Sequence, residues 1–222
     1  MNRQSLCKRS AGFSRTAAGQ PDALGRRAGR TSVRVWRHRP QGASLNAVAT
    51  LQHLTVERYD ELVNAGVFDG QRAELVDGQL VEMSPQSPEH GSLIQWLTER
   101  FAARAELLRV QLPLAVPNGR PEPDLALARR RAHQHPDSAL LVVEIAISSL
   151  DEDYAKLPGY AAANIPLAWI IDVSGRVVHV FEHPAGGRYR TDRTLRAGQT
   201  LPSPADRIAS IPVGDLFAAL DD

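Results

Sequence analysis

Cysteine is almost absent from this 222-residue chain. Cys7 stands alone, which excludes an intrachain disulfide framework and any multi-cysteine zinc site. Lysine is nearly as scarce: Lys8 and Lys156 are the only two, and arginine supplies the rest of the 26 basic side chains. No apolar run approaches the roughly 18 residues that a membrane helix needs. The stretch Ala139 to Ile147, apolar except for Glu144, is far too short. A soluble, cytoplasmic protein with no membrane partner is expected. No G-x-G-x-x-G follows a strand and no P-loop occurs, so nucleotide cofactors have no support. The serines lack a nucleophile-elbow setting. No period of 20 to 50 residues repeats, which excludes a solenoid.

What is present is a hydrophobic share of 43%, enough for a packed core, and a formal charge of +1. That near-neutral total conceals a split. Residues 1–50 carry ten basic side chains against Asp22 alone, a net +9, which leaves −8 on the rest. This first segment is rich in Gly, Ser, Ala and Arg and shows no sustained apolar period, so it reads as a disordered basic extension. Residues 51–222 form the expected folded domain. The arm lacks the apolar core of a secretory signal but has the acid-poor character of a transit peptide or of a basic arm for nucleic acid. It is equally what an arginine-rich genome yields when read upstream of a true start. Val48 precedes the domain-like run, and valine codons serve as bacterial starts. An intact mass matching Met1 would exclude that reading.

From Leu54 the pattern becomes regular. Thr55 caps a short helix with Val56, Tyr59, Leu62 and Val63 on one side. Arg72 to Ser84 reads as a hairpin turning at Asp77-Gly78. Ile94, Leu97, Phe101 and Leu108 recur near helical spacing and predict a helix over 88–108. Strands are expected over 109–116, 124–128 and 139–147, the last apolar on both faces as a covered central strand should be. Residues 151–163 read as a helix interrupted by Pro158. Strands over 167–173 and 176–183, joined at Ser174-Gly175, and a closing helix over 213–220 complete the domain. The fold class is α/β, a central mixed sheet flanked by helices.

Glu144 is the residue that composition does not explain. A lone carboxylate in a buried strand costs several kcal/mol unless it is paired or binds a cation. It could equally reach solvent at a strand end or pair with an arginine. Asp124 ends a short approach strand behind Pro121-Glu122-Pro123, whose prolines hold the chain extended. Two acids at the ends of neighbouring strands can hold a hard cation such as Mg²⁺. Lys156 is the single lysine of the folded part, in the helix after Glu144. A lysine beside metal-bound carboxylates can orient and help deprotonate an attacking water. A leftover lysine is the plain alternative. One lysine at a cleft contributes little to the core, so its removal is expected to leave folding nearly intact.

ELVDGQLVEMSPQSPEHG (74–91), EPDLAL (122–127), LVVEIAISSLDEDYAKLPGY (141–160) and IPLAWIID (165–172), with LTVERYDEL (54–62) before them, resemble the Uma-two family. These are endonucleases of the PD-(D/E)xK restriction-endonuclease-like superfamily, and the resemblance spans about 54 to 218. It implies a restriction-endonuclease-like core and a metal site of Asp124, Glu144 and the Ile145 carbonyl. Glu74 is a further acid of that site, and Lys156 sits on the helix after the second carboxylate. The implied activity is Mg²⁺-dependent or Mn²⁺-dependent hydrolysis of DNA phosphodiester bonds. The chain departs from the family at Ile147, where an acid or serine is usual, and in a Asp153-to-Lys156 spacing one residue short. Either Glu152 or Asp153 then matches the family's helical acid.

Other candidates rank lower. His90 could face the site or simply finish a helix end. His133 and His135 lie in a loop with no third ligand evident. Trp96 and Trp169 read as core rather than as base-stacking platforms. A folded part at −8 suits tight DNA binding poorly unless metals, the Arg129-Arg130-Arg131 cluster or a homodimer offset it. Two other classes stay open: a catalytically silent nucleic-acid-binding or protein-binding module on the same fold, and a structural domain with Glu144 ion-paired.

Overall fold

The structure is a computed structural model and describes residues 53–221. The basic extension, Cys7 and Lys8 lie outside the described residues. Thr55 caps α1 (Val56–Asn64) as its sequence predicts, its hydroxyl accepting from the Arg58 N–H at 3.2 Å. The hairpin follows as β1 (Ala73–Val76) and β2 (Gln79–Glu82), turning at Asp77 and Gly78. Both turn residues hold positive φ, the conformation that Asp-Gly favours in a two-residue turn.

Helix α2 (Pro88–Arg100) starts at the Ser87 cap with Pro88 in its first turn. It stops eight residues earlier than its spacing predicts. A short 3₁₀ turn (Ala102–Arg104) intervenes, and Leu107 and Leu108 are drawn into the sheet instead. The Leu107 carbonyl accepts from the Ala128 N–H, and Leu108 pairs with Leu127. Tertiary pairing thus outweighs a helical spacing that Leu108 matched by coincidence.

The central sheet has six strands in the order of the chain: β3 (Leu108–Val110), β4 (Leu125–Leu127), β5 (Leu141–Ala146), β6 (Leu167–Asp172), β7 (Val177–Ala185) and β8 (Arg188–Leu195). β5 and β6 run parallel, connected through α3 (Leu150–Ala162), and all other neighbours are antiparallel. The strand expected over 109–116 breaks at Gln111, whose φ of 50° leaves the extended region. β8 carries few apolar side chains because it is an edge strand, and its charges suit that position. The alternation signal is too weak there to read from sequence. A two-residue pair, β9 (Thr200–Leu201) with β10 (Ile211–Pro212), leads into α4 (Val213–Ala218).

The two faces of the sheet are covered differently. Leu93 and Leu97 of α2, Phe101 just after it, and Val213, Leu216 and Phe217 of α4 pack on the face of Leu125, Val143, Ile145 and Trp169. Trp169 is fully buried against Phe101, a core residue as its sequence context predicts. Tyr160 of α3 packs on the other face with Ala126, Val142, Ala146 and Ile170. Helix α3 runs through Pro158, which gives up the bond to the Tyr154 carbonyl. Burial of Tyr160 and Ala161 on its inner side offsets that loss. The mixed sheet with helices on both faces is the architecture that the sequence implies.

Candidate active site at the β4–β5 end of the sheet

Glu144 lies on β5, opposite Ile170 of β6 and therefore on the α3 face. It is 2% exposed. Helix α3 meets it with two side chains four residues apart, one above the other on the same helical face. Lys156 Nζ lies 3.3 Å from Glu144 Oε2, and the Tyr160 hydroxyl donates to Oε1 at 2.5 Å. Asp153, one turn before Lys156, completes that face at 3.5 Å from the same ammonium.

Glu74 arrives from the hairpin. The loop from Val116 to Glu122 clamps β1 in place: the Arg120 N–H donates to the Leu75 carbonyl at 2.8 Å, and the Gly78 N–H to the Asn118 carbonyl at 3.0 Å. A Cβ at Gly119 would stand 2.4 Å from the Leu75 carbonyl oxygen, so that close approach requires glycine. Glu74 then reaches Lys156 at 3.1 Å.

The result is a tripod. The Lys156 ammonium stands 3.1 Å from Glu74, 3.3 Å from Glu144, to which it donates, and 3.5 Å from Asp153, and each acid is held through its other oxygen. Glu74 Oε2 accepts from the Glu122 N–H at 2.8 Å, and Asp153 Oδ2 from the Ser149 hydroxyl at 2.9 Å. Glu144 Oε1 accepts from Tyr160. All four charged side chains are buried. Asp153, not the half-exposed Glu152, is the acid of α3 that joins this cluster.

Asp124 sits one residue before β4, and the Leu125–Val143 register places it opposite Glu144. Its carboxylate turns to the neighbouring backbone rather than to the tripod. Oδ2 accepts from the Ile145 N–H at 2.8 Å and lies 3.0 Å from His90 Nε2, while Oδ1 accepts from Gln111 at 3.4 Å. His90, in the first turn of α2, thus faces the site instead of only finishing a helix end; its Nδ1 is buried without a partner. His133 and His135 remain on an exposed loop away from these acids. Arg129, Arg130 and Arg131 leave β4 at the end opposite Asp124, about 15 Å along an extended chain, so they do not line this site.

Electrostatics follow from burial. Desolvation raises Glu144 well above the ordinary carboxylate range; Lys156 opposes this, while Asp153, Asp124 and Glu74 add to it. Burial likewise lifts Asp153 to about 6, against the pull of Lys156 and the Ser149 hydroxyl. Burial disfavours the charge of Lys156, but Glu144, Glu74 and Asp153 together outweigh it and hold the ammonium above its usual range. In this setting Lys156 holds its proton. The expectation that its removal leaves folding nearly intact is also overturned, since it would strand three buried acids.

One ammonium faces more carboxylates than it can neutralise, and burial at Glu144 and Asp153 opposes their ionisation until a cation offsets it. Hard carboxylate oxygens with an excess of negative charge suit Mg²⁺ or Mn²⁺ by chemistry. Among the described residues no three Asp, Glu, His or Cys side chains stand grouped closely enough to hold a metal as they are placed. The acids are instead spread between Lys156 and the Ile145 backbone. A cleft of about 190 Å³ opens beside Lys156, walled mainly by apolar residues including Leu75, Val116, Pro121 and Pro158; none of the four acids lines it.

Sequence reading missed Tyr160 and Ser149 and left Asp153 undecided. Positions 153, 156 and 160 lie three and four apart, so the same helical face carries all three, and that spacing was the available signal. Ser149 gave none, because it acts from the residue before α3.

Among solved structures the chain is similar to "a putative nuclease belonging to DUF820" from Anabaena variabilis ATCC 29413, with a TM-score of 0.59 and 15% sequence identity. That likeness covers 75% of this chain and 99% of the other, and at such identity it shows the fold alone. No curated protein matches. A model of the Uma2 family, described as "Putative restriction endonuclease", matches residues 56–207, most of the chain. Sequence and fold agree, and the chain belongs to the Uma2 family.

Proposed function

We propose that this protein is a metal-dependent endonuclease acting on DNA. The observation that carries the reading is the buried cluster of Glu74, Glu144 and Asp153 around Lys156, with Asp124 held beside it on the Ile145 N–H, at the β4–β5 end of the sheet. A domain seeking stability alone gains little from such a cluster, since well-packed apolar side chains of similar volume would serve as well or better. A site that stabilises charge on a phosphodiester needs hard oxygen ligands together with a fixed positive group.

Asp124 and Glu144, with the Ile145 carbonyl, are the residues that would hold Mg²⁺ or Mn²⁺. Glu74 would support the ion or its waters. When bound, such an ion neutralises the charge that grows on the scissile phosphate and lowers the pKa of a bound water. The chain's own residues do the rest. Lys156 orients the attacking water toward the phosphorus from a position set by its three carboxylates. The Ile145 N–H and His90 fix the Asp124 carboxylate, and the Glu122 N–H fixes that of Glu74. Asp153 pairs with Lys156 from the preceding turn of α3, at the longest of the three distances.

The test is cleavage of supercoiled, branched and single-stranded DNA, each with Mg²⁺, with Mn²⁺ and with chelator. The parent should cleave at least one substrate with metal and none with chelator; Asp124→Ala and Glu144→Ala should lose that activity. Lys156→Arg keeps the charge but replaces a compact ammonium with a planar fork. It should also fail to cleave, and parental activity in it would remove the lysine from water positioning. The absence of a three-ligand group among the described residues favours one other reading, a catalytically silent nucleic-acid-binding or protein-binding module. DNA bound but uncut under every metal condition is the outcome that would establish it.

A further inference from the structure

Tyr160 is used by no part of the proposed mechanism. It is fully buried on α3, one turn beyond Lys156, with its ring among Val142, Ala146 and Ile170. A buried tyrosine hydroxyl needs a partner, and a backbone carbonyl usually serves. Tyr189 shows that ordinary solution, donating to the Ile165 carbonyl at 3.0 Å. Tyr160 instead donates to a carboxylate, Glu144 Oε1, at 2.5 Å, within the short range of bonds to charged acceptors. The opposite oxygen of Glu144 faces Lys156. Helix α3 therefore grips both oxygens of Glu144 from a single face, through positions i and i+4. A flexible glutamate held at both oxygens has its terminal torsion fixed, and each oxygen keeps a second lone pair free to ligate.

We propose that Tyr160 is a positioning residue that orients the Glu144 carboxylate for divalent-cation binding. The assignment rests on the reading of Asp124 and Glu144 as metal ligands. Tyr160 touches neither substrate nor cation. Its effect passes through the orientation of Glu144, as second-layer partners of metal ligands generally act, where loss of one such partner weakens metal affinity about 10- to 100-fold.

The experiment measures Mn²⁺ affinity directly, from the electron paramagnetic resonance signal of free Mn²⁺ titrated with protein, on the full chain and without DNA. Three proteins are compared: the parent, Tyr160→Phe and Tyr189→Phe. Each variant loses one buried hydroxyl and keeps the ring, so a purely structural role moves the melting temperatures of both and leaves metal affinity alone. The expected result is Mn²⁺ binding weakened about tenfold or more in Tyr160→Phe and unchanged within about twofold in Tyr189→Phe. Substitution of 3-fluorotyrosine at position 160 keeps the packing while acidifying the hydroxyl, and covers the case in which Tyr160→Phe does not fold. Its Mn²⁺ affinity should differ from the parent's, whereas the same substitution at position 189 should have no effect. Parental affinity in the folded Tyr160 variants overturns the assignment and leaves the metal site standing. A parent that binds no Mn²⁺ overturns the metal reading and this assignment with it.

Discussion

The two faces of the central sheet make different use of burial. Under α2 and α4 the buried residues of the face are hydrophobic, from Leu93 and Leu97 through Trp169 to Phe217, except His90 at the start of α2, which turns to Asp124. Under α3 an apolar patch around Val142 and Ile170 gives way at one end to Glu74, Glu144, Asp153 and Lys156. The first face gains free energy from each side chain that it removes from water. The second spends part of that gain on holding like charges together. Conformational stability and site chemistry are thus assigned to opposite sides of one sheet, joined through β5. That strand sends Val143 and Ile145 to one side and Glu144 to the other.

The contrast is sharpest if each face is damaged in turn. Trp169→Ala should cost about 3–5 kcal/mol of unfolding free energy, because a large aromatic leaves a cavity where packing is dense. Urea denaturation measures this, and the cleavage rate per folded molecule should stay within a few-fold of the parent. A mild effect on stability with cleavage abolished would mean that the two faces are not separable.

Lys156→Ala attacks the other face and should destabilise by a comparable 3–5 kcal/mol at neutral pH, since it leaves buried acids without their counter-charge. Unlike the tryptophan change, this loss should shrink as pH falls toward 5, because protonation of Glu144 and Asp153 removes the charge left unpaired. A pH-independent loss would assign the lysine to packing alone.

The parent itself should respond to pH through the same groups. Asp153 rises from an ordinary 3.8 to about 6 on folding, so the folded state binds its proton more tightly than the unfolded chain does. The stability linked to that proton is fully present below about pH 4 and is lost as pH rises through about 6. Glu144, shifted in the same direction, adds to the loss. A divalent cation should then raise the melting temperature at pH 8, by about 5 °C or more at saturation, and hardly at all at pH 5, where protons occupy the acids. Differential scanning fluorimetry with Mg²⁺ and with chelator at both values is the check. An equal rise at both would separate the cation from these carboxylates.

The smallest effect belongs outside both faces. The Arg58–Glu61 pair is exposed on α1, and Arg58→Ala should change stability by less than about 1 kcal/mol with cleavage unaltered. A larger loss, read by urea denaturation, would mean that the periphery also carries stability.

Much of this was written locally. Thr55 as a cap, Asp77-Gly78 as a turn and the double-sided apolar run of β5 each depend on a few adjacent residues, and each appears as its pattern predicts. Glu144 stood out because one charge in an otherwise apolar strand breaks a local rule. Lys156 stood out because arginine fills almost every other basic position. The premature end of α2, the breaking of β3 at Gln111 and the polar edge strand β8 were not legible. The first two were decided by partners distant in sequence, Leu127 for Leu108 and Asp124 for Gln111, whereas β8 pairs with its neighbour β7 across Gly186-Gly187 and was hidden by its polar edge composition. The same holds within the site. Sequence supplied Glu74, Asp124, Glu144 and Lys156 as separate residues, with Asp153 and Tyr160 spaced to share a face with Lys156. Only the tertiary structure brought Glu74 and Glu144 to that ammonium and gave the Tyr160 hydroxyl to Glu144, because contacts across 12 to 82 residues are set by packing and not by local preference.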